Sequence, residues 1–205
     1  SVVITGSLLI DGVPIVLRGG TDVVILKLNS ATGQGMLFFF SLLAINFFFF
    51  HKKKNKPAIW RQHLASTADD LSPQLRIDKN RQLYAALTTS GQLKDYAGAN
   101  ITLQAPANSL PDVAFIKLDP TTGAVLNSLA VGGSSVEDLT SLKIDPQSGT
   151  LFASLVFTGV TKLGNFTFQS RGGYDHAVLA VSQDLSQVLW VTTFGGSGNE
   201  LAYSD

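Results

Sequence analysis

"TGSLLIDGVPIVLRGGTD" (5–22) and "TGVTKLGNFTFQSRGGYD" (158–175) share Thr5/Thr158, Gly6/Gly159, Arg18/Arg171, Gly19/Gly172, Gly20/Gly173 and Asp22/Asp175 at one fixed offset of 153 residues. Six matches at one offset are not expected by chance, so the chain is first read as repeated. The residues after each copy match as well: "DVVILKLNSATGQ" (22–34) lines up with "DHAVLAVSQDLSQVLW" (175–190) and with a more diverged middle stretch, "DVAFIKLDPTTGAVL" (112–126). A tail comes next, as "GGSSVEDLTSLKID" (132–145), "GGSGNELA" (195–202) and the weaker "ASTADDLSPQLRID" (65–78).

Corresponding residues give the period. Asp112 to Asp175 is 63, Asp138 to Glu200 is 62 and Asp70 to Asp138 is 68, but Asp22 to Asp112 is 90. The excess is close to the length of one odd segment, "GMLFFFSLLAINFFFFHKKKNKP" (35–57). Removing 22 residues restores 68. The units expected are 1–78, 79–145 and 146–205.

Each unit reads as strand, turn, strand, turn. "LYAALTT" (83–89) and "LFASLVF" (151–157) are apolar and β-branched runs, and "NITLQ" (100–104) and "NFTFQ" (165–169) alternate with the period of a half-exposed strand. "VVILKL" and "VAFIKL" are nearly continuous apolar runs, suited to strands covered on both faces. "NSATG", "DPTTG" and "DPQSG" are turns: Asp or Asn bonds the local backbone, Pro fixes φ, and Gly accepts positive φ. The fold class expected is all-β, with about three repeats of a four-stranded antiparallel sheet, part of a larger β-propeller or blade array.

Composition agrees with β-structure and excludes several functions. The chain has 205 residues, 45% of them apolar, with 19 Gly and no Cys, so disulfides, thiolate chemistry and Cys-ligated metals are out. Lys+Arg and Asp+Glu are 15 each, leaving no net field for nucleic acid. His51, His63 and His176 lie at non-equivalent places without metal-ligand spacing. No GxxxxGK[ST], GxGxxG entering a helix or GxSxG occurs. The chain opens on Ser with no charged and apolar leader, which reads as a mature or excised piece.

On "GGTDVVILKLNSATG", "PDVAFIKLDPTTG" and "GGYDHAVLAVSQDLSQVLWVTTFGGSGNE", the sequence resembles the SBBP type of β-propeller repeat. The likeness covers nearly the whole chain outside 35–57. It departs at Asn127, which stands where Trp60 and Trp190 sit, at the middle copy, which lacks the Gly pair before Asp112, and at the first tail, which lacks Gly-Gly. The resemblance implies a blade fold rather than an activity.

Segment 35–57 has three readings. Its run of fifteen largely apolar residues, 36–50, with Ser41 and Asn46 inside it, falls short of the roughly 20 that cross about 30 Å of hydrocarbon, and it interrupts a turn within one unit. A loop insertion is the second. The third is a retained intron: Gly35-Met36 can be written GGT-ATG, Phe codons supply a pyrimidine tract, and Pro57-Ala58 can be written CCA-GCN. Excision would give "NSATGQAIWRQHL", like the other copies, and would make the source a eukaryote. The agreement between the excised length and the excess in the period favours the intron.

Asp22, Asp112 and Asp175 recur at a strand start and are read as turn acceptors, with channel lining or Ca²⁺ binding as the alternative. Trp60 and Trp190 are read as wedges between blades, with sugar stacking as the alternative. Asn100 and Asn165 open the sequons Asn100-Ile101-Thr102 and Asn165-Phe166-Thr167. No catalytic, cofactor or metal residue is singled out. The function expected is a non-enzymatic extracellular or cell-surface module, structural or adhesive, whose partner is a protein, a glycan or further blades of the same assembly. A polysaccharide-acting hydrolase or lyase, with its site completed by other blades, is the alternative. No nucleic-acid partner is expected, and a membrane partner only if 36–50 is genuine.

Overall fold

The computed structural model describes residues 7–10, 13–16, 18–29, 35–41, 58–95, 97–102, 112–133 and 135–200. The second half of the Phe-rich run, the basic residues after it, His51 and residues 201–205 lie outside the described residues. Among the described residues there are strands and turns and no helix.

The strands are β1 (Ser7–Ile10), β2 (Val13–Val16), β3 (Val23–Asn29), β4 (Gly35–Ser41), β5 (Ala58–Leu64), β6 (Asp70–Ile77), β7 (Leu83–Thr89), β8 (Asp112–Leu118), β9 (Val125–Val131), β10 (Glu137–Ile144), β11 (Leu151–Phe157), β12 (Val160–Leu163), β13 (Phe166–Gln169), β14 (Asp175–Val181) and β15 (Val188–Phe194). They form three main antiparallel sheets. Sheet I is β4-β3-β5, sheet II is β6-β7-β8-β9 and sheet III is β10-β11-β14-β15, with β1-β2 and β12-β13 as two-stranded hairpins. The second and third sheets are thus simple meanders.

The apolar runs sit where their composition demands. Every residue of β7 is buried, and β8 is buried except for Lys117, because each central strand is covered on both faces by a neighbouring sheet. Val23, Ile25, Trp60 and Leu64 of sheet I pack with Leu83, Leu87, Ile116 and Leu118 of sheet II. The other face of sheet II, with Tyr84, Phe115 and Leu129, packs with Leu142, Leu155 and Leu179 of sheet III. Sheet II alone would leave two greasy faces in water.

The turns obey their spelling. Asp119 Oδ1 accepts the backbone N–H groups of Thr121 and Thr122, and Gly123 closes the turn at φ 76°, a conformation that suits a residue without Cβ. Asp145 likewise accepts from Gln147 and Ser148.

The unit boundaries require correction. The units 1–78 and 79–145 place β6 with the first copy and β10 with the second, yet β6 pairs with β7 and β10 with β11. The turns after Asp78 and Asp145 join strands of one sheet, so the sheets change instead between β5 and β6 and between β9 and β10. A sequence period fixes spacing but not phase.

Sheet I shows how segment 35–57 enters. β3 pairs with β5 from Val23↔Leu64 to Leu28↔Ala58, with an irregularity between Lys27 and Leu28. The corresponding pairs are Leu118↔Val125, irregular after Lys117, and Val181↔Val188, irregular after Ala180. Between the last paired residues, sheets II and III have the six-residue stretches 119–124 and 182–187; from the Leu28↔Ala58 pair, with 35–57 removed, 29–34 would also be six. β4 pairs along the opposite edge of β3, the place held by β7 beside β8 and by β11 beside β14. The hairpin geometry of β3 and β5 therefore survives an insertion in its turn. Mass spectrometry of the protein from its source is expected to find Gln34 followed by a single Ala and then Ile59. A peptide spanning Phe38 to Phe50 would contradict the intron reading.

Candidate functional site

The residues that recur in sequence converge at the junctions between sheets. At the entry to β3 and to β14 a carboxylate closes a short turn. Asp22 Oδ2 accepts Arg18 N–H at 2.8 Å and its Oδ1 accepts Gly19 N–H at 3.2 Å; Asp175 Oδ2 accepts Arg171 N–H at 3.1 Å. The residues preceding Asp112 that would correspond lie outside the described residues.

A second carboxylate series faces the first. Asp70 accepts Ser66 N–H at 2.7 Å, Glu137 accepts Gly133 N–H at 3.3 Å and Glu200 accepts Gly196 N–H at 3.1 Å, each from the residue four positions earlier. This corrects the sequence alignment, which puts Asp138 beside Asp70 and Glu200. Asp138 turns instead toward sheet II, where its Oδ1 accepts the hydroxyls of Thr88 at 2.6 Å and Ser72 at 3.1 Å. Adjacent acids in "VED" made the one-residue slip invisible in sequence; the four-residue spacing from the glycine would have exposed it.

Burial sets the electrostatics. It pushes the carboxyl of Asp70 up to about 6, opposed by the Ser66 N–H. Glu137 is fully buried and is pushed up to about 7, with the neighbouring Asp112 charge adding to the effect. Asp112 is raised to about 7 by the same desolvation. Asp112 and Glu137 lie within side-chain hydrogen-bond reach of each other, a contact that needs a proton on one of the two carboxyls, so charging both is unfavourable. The pair is suited to holding a proton at the seam of sheets II and III. Among the described residues no group of three or more His, Cys, Asp or Glu is placed to hold a metal ion.

Glycine beside the first-series carboxylate permits this closeness. A Cβ on Gly132 would lie 1.8 Å from Asp112 Oδ1, and one on Gly195 would lie 2.0 Å from the Asp175 carboxyl carbon. Gly132→Ala is therefore expected to destabilise the chain by about 1–3 kcal/mol through overpacking. Gly198→Ala, whose Cβ would be 3.8 Å from Glu200, is expected to change little. Urea midpoints that fall equally for both variants would contradict the assignment.

One feature occurs in sheet I alone. His63 Nε2 lies 2.7 Å from Asp22 Oδ2, with both side chains buried. Ala130 and Thr193 stand at the matching places. The two partners are 41 residues apart, and no local pattern announces the pair.

The tryptophans differ. Trp60 is 7% exposed, its Nε1 donates to Pro120 O at 3.1 Å, and its ring fills the place a Cβ on Gly123 would need. Lys27 Nζ donates to the same carbonyl at 2.7 Å, and Gln62 Nε2 donates to Gly123 O at 3.0 Å. Sheet I thus clasps the β8–β9 turn. Between sheets II and III the clasp recurs with Asn127 donating to Asp184 O and Lys117 approaching Gln183 O at 3.5 Å. Trp190, at the matching place in sheet III, is 43% exposed and touches Phe152, with ring centroids 6.0 Å apart.

The sequons lie on outlying hairpins. Asn165 sits at the tip between β12 and β13, beside Gly164, and exposed Asn100 bridges Lys94 in the connection from β7 to β8. These hairpins also tie sheets together: Ala65 exchanges backbone bonds with Lys94, and Gly132 N–H donates to Lys162 O.

No protein-family model, curated protein or solved structure matches the chain.

Proposed function

We propose that the three sheets are blades of an SBBP-type β-propeller or blade array, and that the chain is a rigid, non-enzymatic structural or adhesive module of an extracellular or cell-surface protein. The observation carrying this reading is the recurrent use of the prominent side chains. Asp22, Asp175, Asp70, Glu137 and Glu200 accept turn N–H groups. Lys27, Trp60, Lys117 and Asn127 hold the next sheet's turn. Side chains committed at every junction build a scaffold, whereas catalysis calls for one asymmetric cluster. The loops between strands are then the variable surface offered to a protein or glycan.

The test pairs two readouts on one sample: saturable retention on a glycan array or purified cell-surface proteins, and release of reducing ends from polysaccharides. Retention without release is expected. Reducing ends that vanish in Glu137→Gln would favour the hydrolase or lyase alternative, for which the raised carboxyls of Asp112 and Glu137 are the nearest candidates.

Secretion adds a separate expectation. Asn100 and Asn165 stand on accessible hairpins, and a mobility shift on glycosidase treatment of the protein from its source should disappear in the double Asn→Gln variant. No shift in the native protein would count against the surface assignment.

A further inference from the structure

We propose that the junction between sheets II and III is a proton-controlled hinge: a proton shared by Asp112 and Glu137 keeps it closed, and loss of that proton frees hairpin β12–β13 from sheet II. This rests on the blade reading and adds to it a control over the stiffness of the scaffold.

The two carboxyls belong to different sheets and meet at one short linker. Asp112 opens β8 and Glu137 opens β10, and the chain leaves sheet II for sheet III through Gly132 and Gly133. Asp112 lies against Gly132, where an added Cβ would be 1.8 Å from its Oδ1. Glu137 Oε2 accepts Gly133 N–H at 3.3 Å, and the same N–H bonds to Asp112. Gly132 N–H donates to Lys162 O at 3.0 Å, which fastens β12–β13 to the end of sheet II. Two successive glycines leave this linker free to rotate, so carboxylates that move apart carry the fastening with them.

The surroundings leave the pair to neutralise itself. From β12 the buried Thr161 hydroxyl faces Glu137, while Lys162 beside it is exposed. In the ladders Thr89 of β7 stands beside Asp112 and Phe157 of β11 beside Glu137, with Asp175 of β14 beyond Phe157. Asp138, next to Glu137, is held by the Thr88 and Ser72 hydroxyls. Among the described residues neither carboxyl has an ion-pair partner. Two buried charges facing each other repel and lack hydration, and the least costly relief is a local opening that admits water at the glycine linker. Burial raises both carboxyls to about 7. The junction is therefore closed in mild acid, and opening sets in as pH rises through about 7.

The junction between sheets I and II is built differently. Ala65 and Ser66 stand where Gly132 and Gly133 do, and Ser66 N–H reaches Asp70 at 2.7 Å. Asp22 has His63 as its partner at 2.7 Å, whereas Ala130 fills the matching place in sheet II. The hinge is thus confined to the second junction.

The experiment is amide hydrogen exchange on the isotope-labelled full chain from pH 5 to pH 8, each rate divided by its intrinsic value at that pH. The Gly132 amide reports the hinge. The Ala65 amide, which donates to Lys94 O, reports the equivalent tie at the first junction, and Ala85 in β7 reports the whole fold. Protection of Gly132 is expected to fall at least about tenfold more than that of Ala65, the effect of one unit of differential protonation. Glu137→Gln can still accept Gly133 N–H and can donate to Asp112, so it should abolish the excess fall. Asp112→Asn should do the same from the other side, and serves if the first variant folds poorly. Equal falls at Gly132, Ala65 and Ala85 would overturn the hinge, because the charge would then act on the fold as a whole. An excess fall that persists in both variants would overturn it as well. Either result leaves the blade reading standing, whereas an Ala85 amide without protection at pH 5 would remove both.

Discussion

Trp60→Ala is expected to cost about 3–5 kcal/mol of folding stability, the range for truncating a large buried aromatic side chain, whereas Trp190→Ala in dilute solution is expected to cost under about 1 kcal/mol. Both residues occupy the same register position, four residues before the one that pairs with Val23 or with His176. Their surroundings differ: the Trp60 indole is buried against Gly123 with its N–H on Pro120 O, and Trp190 rests beside Phe152 at the surface. Removing Trp60 opens a void between sheets I and II and leaves Pro120 O with the Lys27 ammonium. Urea unfolding of both variants, followed by far-ultraviolet circular dichroism, reads the contrast. Equal losses would mean that Trp60 is not a wedge between sheets.

The second large effect is a loss of stability as pH rises. Burial raises Asp70 to about 6 and Asp112 and Glu137 to about 7 in the folded chain, from ordinary values of 3.8, 3.8 and 4.5. A carboxyl with a raised folded value binds its proton more tightly in the folded state. Its contribution is complete below about pH 4 and disappears as pH climbs through 6 to 7. Asp119, Asp145 and Asp184 oppose this in a different window. Turn hydrogen bonds hold them low, so their contribution is lost only as pH falls below about 4. Between pH 5 and pH 8 the chain should therefore lose on the order of a few kcal/mol, each buried acid contributing at most about 1.4 kcal/mol per pH unit before coupling. Glu137→Gln should flatten the profile and be the more stable protein at pH 8, since the amide leaves no buried charge opposite Asp112. A urea midpoint that stays level or rises from pH 5 to pH 8 would contradict the buried acid pair.

Much of the secondary structure was legible because local chemistry suffices for it. "LYAALTT" and "LFASLVF" could bury both faces only as central strands, and "DPTTG" and "DPQSG" carry their own hydrogen-bond acceptors and glycine. The all-β class and the four-stranded antiparallel sheets came from those elements. Partnership between sheets was less legible. β6 joins β7 because the turn 78–82 is tight, while the sequence period is equally satisfied with β6 in the preceding unit. The difference between Trp60 and Trp190 lies in whether a following sheet covers them, which no property of the residues themselves records. His63 and Asp22 meet only because β3 and β5 pair across a long insertion. Glu137 was hidden by its acidic neighbour, and Asp138 gained its role from Thr88 on another sheet.

The insertion itself shows how strongly register is specified. β3 and β5 keep the pairing and the irregularity of the other two hairpins although residues 35–57 separate them. A one-residue slip would turn Val23, Ile25, Trp60 and Leu64 away from sheet II.

The most direct check of three equivalent sheets is a nuclear Overhauser measurement on the isotope-labelled full chain. Backbone cross-peaks are expected for Val23 with Leu64, Val113 with Val131 and His176 with Phe194, the corresponding pairs of the three sheets. Absence of the first cross-peak while the other two are present, or helical sequential patterns over 23–28, would contradict the equivalence.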